Sequence, residues 1–158
     1  MDDNINNLSV NAFVDYKSTI ADLTQVREGQ LRVEQGVVLI STWNIEGITD
    51  AKLVTLQKYI MDYNIDILCI QETHLPLSDV YTTSFGFVVV LSGGNESPEW
   101  AGVGFIVSKK MRNHILSFSQ NTSRYASIKF RCSGGSFAIV NAYAPHNGHP
   151  MEVRRQFS

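Results

Sequence analysis

Residues 37–72 read VVLISTWNIEGITDAKLVTLQKYIMDYNIDILCIQE. Two apolar runs bound this stretch, residues 37–40 (VVLI) and residues 65–70 (IDILCI). Runs this short and this apolar are the signature of strands buried on both faces. Between them the period changes from two to 3.6. Thr49 or Asp50 can cap a helix N-terminus, and Leu53, Leu56, Ile60 and Tyr63 fall on one stripe of it. Asn64 is a plausible stop. A strand, a crossover helix and a strand within about thirty residues make a βαβ unit, so the two strands are expected to run parallel.

Beyond this unit the pattern is β-rich. Residues 87–91, 103–107, 115–118, 125–130 and 137–143 read as strands separated by turn residues. Residues 133–136 (SGGS) mark a tight hairpin between the last two. The fold class expected is α/β (α+β). Residues 1–35 read as a polar, flexible leader, residues 36–158 as the ordered domain, and residues 151–158 as the opening of a helix.

The chain has 158 residues, 44% hydrophobic and 18% charged, which suits one globular domain. No apolar run approaches the ~20 residues of a membrane-spanning helix. The start, MDDNINNLSV, lacks the basic and apolar regions of a secretory signal. Two cysteines, Cys69 and Cys132, are too few for a disulfide framework or a structural zinc site. A cytoplasmic or nuclear protein, neither secreted nor membrane-bound, is expected.

Charge is unevenly spread. Residues 1–100 carry five Lys/Arg and 14 Asp/Glu; residues 101–158 carry eight and one. An acidic half that can hold a cation beside a basic half that can face an anion suits a metal-dependent phosphodiester enzyme. Solvated faces distributed by chance give the same count.

Polar residues gather where the strands end. Trp43, Asn44 and Glu46 follow the first strand, and Gln71, Glu72 and Thr73 follow the second. Ligands of open α/β sheets bind at such carboxyl ends. Asn44, Glu46 and Glu72 offer oxygen donors only, which suits Mg²⁺ or Mn²⁺ and not zinc. A third cluster, Asn141 and Tyr143, closes the last strand and could hydrogen-bond a phosphate. Taken singly, each cluster is equally a cap, a turn or an ordinary strand end.

Taken in order, W-N-x-x-G, I-Q-E-T and N-x-Y-x-P resemble the exonuclease–endonuclease–phosphatase superfamily, over residues 37–145. The wording TWNIEG, CIQETHLP, GVGFIV and VNAYAPHNG is most similar to the abasic-endonuclease-like branch that includes non-LTR retrotransposon endonucleases. The resemblance implies a β-sandwich of the deoxyribonuclease type with flanking helices. It implies Mg²⁺-dependent (or Mn²⁺-dependent) hydrolysis of DNA. It makes Glu72 the principal metal ligand, supported by Glu46 and Asn44, and it makes Asn44, Glu72, Asn141 and Tyr143 catalytic. Arg124 stands where relatives often carry a basic residue. Lys109, Lys110 and Arg112 form a basic turn that could touch a nucleic-acid backbone.

The family's general base is an Asp in a G-D-x-N motif, and its catalytic His lies in S-D-H. Neither motif occurs in this sequence. Glu46 and Asp66 are the remaining acids that could act as a base. His74, His114, His146 and His149 read as surface or rim residues. The chain is therefore expected to be the N-terminal part of such a domain, roughly its first half, inactive alone and prone to self-association through an uncovered sheet face. Two other functions fit the same residues: hydrolysis of a small phosphorylated substrate, or a non-catalytic remnant of a retroelement.

Overall fold

A computed structural model describes residues 12–16, 30–33, 36–94 and 101–144. The elements are β1 (Ala12–Tyr16), β2 (Gln30–Val33), β3 (Gly36–Asn44), α1 (Asp50–Asp62), β4 (Ile67–Gln71), β5 (Asp79–Thr82), β6 (Val88–Ser92), β7 (Val103–Val107), β8 (Ile115–Ser119), β9 (Tyr125–Cys132) and β10 (Gly135–Ala142). They form a six-stranded sheet in the order β2-β3-β4-β7-β6-β5 and a four-stranded sheet in the order β1-β10-β9-β8.

The βαβ reading holds. β3 and β4 pair in parallel, with Asn44 opposite Gln71, and every other described pairing is antiparallel. Thr49 caps α1, its Oγ1 accepting the Lys52 amide at 3.1 Å. Asn64, at φ 52°, turns the chain out of the helix. The expected stripe is only partly right: Leu56 and Ile60 are buried, but Tyr63 is exposed and packs on Tyr59 at 4.6 Å between ring centroids. The hairpin also holds, with Cys132 opposite Gly135 and Gly134 at φ 81° in the turn between them.

β4 is buried along its whole length because it is covered on both faces. Ile67 and Cys69 face the four-stranded sheet and meet Ile128, Phe130, Phe137 and Ile139. Leu68 and Ile70 face α1 and meet Leu56 and Ile60. The chain is thus a three-layer stack of helix, sheet and sheet, the α/β sandwich expected. β9 and β10 alternate between buried and accessible positions, as strands with one covered face do.

Two expectations need correction. The leader is not uniformly unstructured: its β1 pairs with β10 and its β2 with β3. The polar average of residues 1–35 hid the short β-forming runs AFVDY and QLRV. Nor does the inner face of either sheet lie bare among the described residues, because the two sheets cover each other, while the outer face of β8, β9 and β10 stays accessible. Large apolar side chains remain exposed only locally, as at Leu116 and Phe118 on the edge strand β8. The helical tail at residues 151–158 lies outside the described residues, as do Trp100, His146 and His149.

Candidate active site

Parallel pairing of β3 with β4 brings Asn44 beside Gln71, so the two polar clusters emerge at one end of the sandwich. Main-chain bonds then zip the two loops together. The Ile45 amide donates to the Gln71 carbonyl at 3.0 Å, Gly47 to the Glu72 carbonyl at 2.6 Å, and Ile48 to the Thr73 carbonyl at 3.0 Å. The Lys52 ammonium, from the first turn of α1, reaches back to the carbonyls of Ile45 (2.5 Å) and Glu46 (3.2 Å). Glu46, Glu72 and His74 all hold left-handed φ values, 52°, 56° and 59°. Such values are uncommon outside glycine and gather at functional sites.

The four-stranded sheet adds the rest. Tyr143 follows β10, and its amide donates to the Arg124 carbonyl at 2.7 Å, which seats it against the start of β9. The Tyr143 hydroxyl donates to Glu72 Oε1 at 2.6 Å. Burial, together with that bond to a carboxylate, pushes the phenol well above its ordinary range. The Arg124 guanidinium lies 5.1 Å from the centre of the Tyr143 ring. Arg124 is 91% removed from solvent (9% exposed), and neither of its terminal nitrogens has a hydrogen-bond partner. Burial pulls its pKa down, while Tyr143 and Glu72 act the other way.

Asn141 takes a different place from the one its motif suggests. It is fully buried. Its Nδ2 donates to the carbonyls of Ile70 (2.9 Å) and Gly104 (2.8 Å), and its Oδ1 accepts from Gln71 Nε2 at 2.7 Å. Gln71 Nε2 also donates to Thr42 Oγ1 at 2.8 Å. Asn141 is therefore a polar rivet between the sheets that sets the height of β10, and Tyr143 with it, over Glu72. No atom of its amide remains to contact a substrate.

Glu72, Tyr143, Arg124 and Asn44 thus gather at one end. Asn44 Oδ1 accepts the Glu46 amide at 3.3 Å. Glu46 is exposed on the adjoining loop and lines an open groove of about 490 Å³ with Trp43, Asn44, Thr49, Lys52 and Thr55. Asp66 does not belong here. It lies before β4 at the opposite end, accepting the Leu39 amide at 2.8 Å and pairing with Lys110 at 3.7 Å. Lys109, Lys110 and Arg112 follow β7 at that same far end, and Arg112 donates to the Gly86 carbonyl at 3.4 Å. His74, read as a surface or rim residue, is exposed at the edge of the site, with Nε2 3.7 Å from Glu72 Oε2. Its signal in the sequence was its spacing, two residues past the carboxylate.

The donors suit a hard cation. Glu72 Oε1 accepts from Tyr143, Glu72 Oε2 stands 3.7 Å from His74 Nε2, and Asn44 is the nearby amide oxygen at the end of β3. Among the described residues no three His, Cys, Asp or Glu side chains converge on one point. Among the described residues no helix is long and apolar enough to cross a membrane.

Residues 41–157 match the Endonuclease/Exonuclease/phosphatase family. The general chemistry of that family is metal-dependent phosphoester hydrolysis, and its members generally use divalent metals. The match starts inside β3 and runs through the strand ends that carry Asn44, Glu72 and Tyr143, covering most of the sequence, and the chain belongs to this family.

Proposed function

We propose that this chain carries the metal- and phosphate-binding part of a Mg²⁺-dependent DNA endonuclease of the retrotransposon, abasic-endonuclease-like kind. One observation carries the reading: the Tyr143 hydroxyl on Glu72 at 2.6 Å, with the two unpartnered nitrogens of Arg124 beside it. A buried guanidinium whose terminal nitrogens are left open is unfavourable even with Glu72 nearby, and a phosphodiester oxygen is the ligand that would satisfy its planar donors. Tyr143 would fix Glu72 on one oxygen with its single proton, which leaves the donors for the phosphate to the Arg124 guanidinium. Asn44 would orient the phosphate from the β3 side. A divalent cation, when bound, supplies charge neutralisation at the phosphate and the leaving oxygen.

DNA is favoured over a small phosphate ester by the open groove beside Asn44, which leaves room for a polymer to pass, and by the wording of the three motifs. Of the two acids that could act as a base, Asp66 is at the far end, and Glu46 is exposed on the loop beside Asn44 with its side chain held against none of the residues that gather at Glu72. The chain alone is therefore expected to bind DNA and not to cut it.

The test is fluorescence anisotropy on a short duplex, with and without Mg²⁺, paired with a plasmid-nicking assay. Wild type should bind more tightly with Mg²⁺, and Glu72→Gln should remove the Mg²⁺ dependence. Arg124→Met should weaken binding by about tenfold, in line with the loss of a charge-assisted contact. Binding that is displaced by inositol polyphosphates at equal concentration would favour the small-substrate reading. Robust nicking that is lost in Glu72→Ala would show that a base lies within this chain after all.

A further inference from the structure

We propose that the far end of the six-stranded sheet, away from Glu72, binds single-stranded nucleic acid: Phe85 stacks an unpaired base, and Lys109, Lys110 and Arg112 take the flanking phosphates. This second site stands apart from the strand end that carries Glu72 and does not depend on a cation there.

An open cleft of about 380 Å³ lies at this end, between the close of α1, the turn joining β5 to β6 and the segment after β7. Ile60, Ile65 and Phe87 are its buried apolar lining, and Met61 and Phe85 stand 48% and 53% exposed. A half-open aromatic ring beside an apolar lining offers a face that a flat ring can cover.

The turn that presents Phe85 is fixed. The Thr83 amide donates to the Phe87 carbonyl at 2.8 Å, the Gly86 amide to the Thr83 carbonyl at 2.9 Å, and the Phe87 amide to Thr83 Oγ1 at 3.2 Å. Gly86, at φ 85°, makes room for two cations beside the ring. A methyl group there would sit 3.2 Å from Lys109 Cδ and 3.3 Å from Arg112 Nη1. Arg112 Nη1 donates to the Gly86 carbonyl at 3.4 Å, which uses one of the five guanidinium donors. Positive charge is thus packed against the residue next to Phe85.

Nothing nearby cancels that charge in full. Asp66, the acid in the cleft lining, is buried and shared between the Leu39 amide and Lys110. Lys109 and Arg112 pair with no carboxylate among the described residues. The rim is set for an anion, and an aromatic face beside it narrows the kind of anion. A single strand carries bases with open faces between its phosphates, whereas a duplex keeps its bases stacked inside. An acidic peptide would answer the cations and leave the ring without its partner.

The experiment is fluorescence anisotropy of the 158-residue chain in EDTA. The probes are an oligothymidine of about 12 nucleotides, within the span of a single-strand site, and an abasic strand of the same length. Wild type should bind oligothymidine without Mg²⁺ and more tightly than the abasic strand. Phe85→Ala should weaken oligothymidine by about tenfold and the abasic strand by less than about twofold, and Phe85→Trp should restore the difference. Lys109→Gln should weaken both strands alike and lower the salt slope by about one. Glu72→Gln should change neither. Equal losses for the two strands in Phe85→Ala, or oligothymidine bound no more tightly than the abasic strand, overturn the proposal. Loss of oligothymidine binding in Glu72→Gln overturns it too, because the strand then lies at the other end. Displacement of oligothymidine by polyglutamate at equal charge assigns the cleft to acidic peptides and likewise overturns it. Should Phe85→Ala not fold, Phe85→Trp decides: its added fluorescence should be quenched by oligothymidine and not by the abasic strand. Mg²⁺-dependent duplex binding, lost in Glu72→Gln, tests the other end separately.

Discussion

At one end of the six-stranded sheet, Asp66 accepts the Leu39 amide at 2.8 Å and pairs with Lys110 at 3.7 Å. At the other end, Glu72 is held by one tyrosine hydroxyl, and the nearby Arg124 guanidinium has no partner on either terminal nitrogen. Both ends bury charge, yet only the first satisfies it. The near end also crowds three left-handed residues, Glu46, Glu72 and His74, into two neighbouring loops, whereas the far end has Asn64 alone among its non-glycine residues, at the close of α1. Charge left open beside clustered strain is what a binding site needs before its ligand arrives.

Stability measurements can break or sharpen this contrast. The largest change is expected between the two ends, at the rivet. Asn141→Ala leaves the Ile70 and Gly104 carbonyls and one Gln71 proton without partners in a dry interior. Urea denaturation should show a loss of about 3 kcal/mol or more. A loss under about 1 kcal/mol would mean that the two sheets do not depend on this bridge. Next comes the satisfied end. Asp66→Ala orphans the buried Leu39 amide and should destabilise the chain by about 2 kcal/mol. Arg124→Met should act in the opposite direction, stabilising by about 1 kcal/mol as a buried cation with two open terminal nitrogens is replaced by an apolar chain. If Arg124→Met proves destabilising, the guanidinium is already paired in solution and the ends do not differ as described.

The smallest effect near neutral pH belongs to Cys69. Complete burial pushes its thiol up to about 12. A folded-state value above the unfolded one means that the stabilisation is intact below about pH 8.5 and is lost as pH rises toward 12. Within that window this residue alone should lower stability by about 1.4 kcal/mol per pH unit. Tyr143, also raised, adds to the same decline above about pH 10. At pH 7 Cys69 should resist thiol reagents until the chain unfolds. Labelling as fast as that of a free thiol would show that β4 opens locally.

Elements with a strong local pattern were legible from residues alone. α1, with its Thr49 cap, and the buried runs of β4 and β7 announce themselves by period and composition, and the Ser133, Gly134 turn by chemistry. β5 was missed because it is a mostly exposed edge strand, DVYT, with no apolar alternation to betray it. β1 and β2 were missed because their pairing is a tertiary event, decided by the edges of β10 and β3. At the site, Glu72 and Tyr143 could be paired from their motifs, since both sit at strand ends. The role of Asn141 could not, because it and Tyr143, two residues on, share the inward face of the strand, and only the packing of the two sheets decides which of them reaches the opening and which is sealed inside. Nor could sequence show that Lys109, Lys110 and Arg112 lie away from Arg124. That follows from β7 running antiparallel to β4, which sends its trailing turn to the other end.

β1 carries one further consequence, for the order in which the molecule is built. Its register sets Ala12 opposite Asn141 and Tyr16 opposite Phe137, so its partner is the last described strand. During synthesis, β1 must wait until the chain has been made as far as Asn141 before it can pair in full. The loop that it closes is among the longest available, and such contacts are the slow ones in folding. The βαβ unit, by contrast, is local and can form early. The six-stranded sheet would therefore present Glu72 before β10 is locked in place, and the edge beside Asn141 would be the last to close. Folding kinetics followed by a probe on β1 should lag behind one on α1.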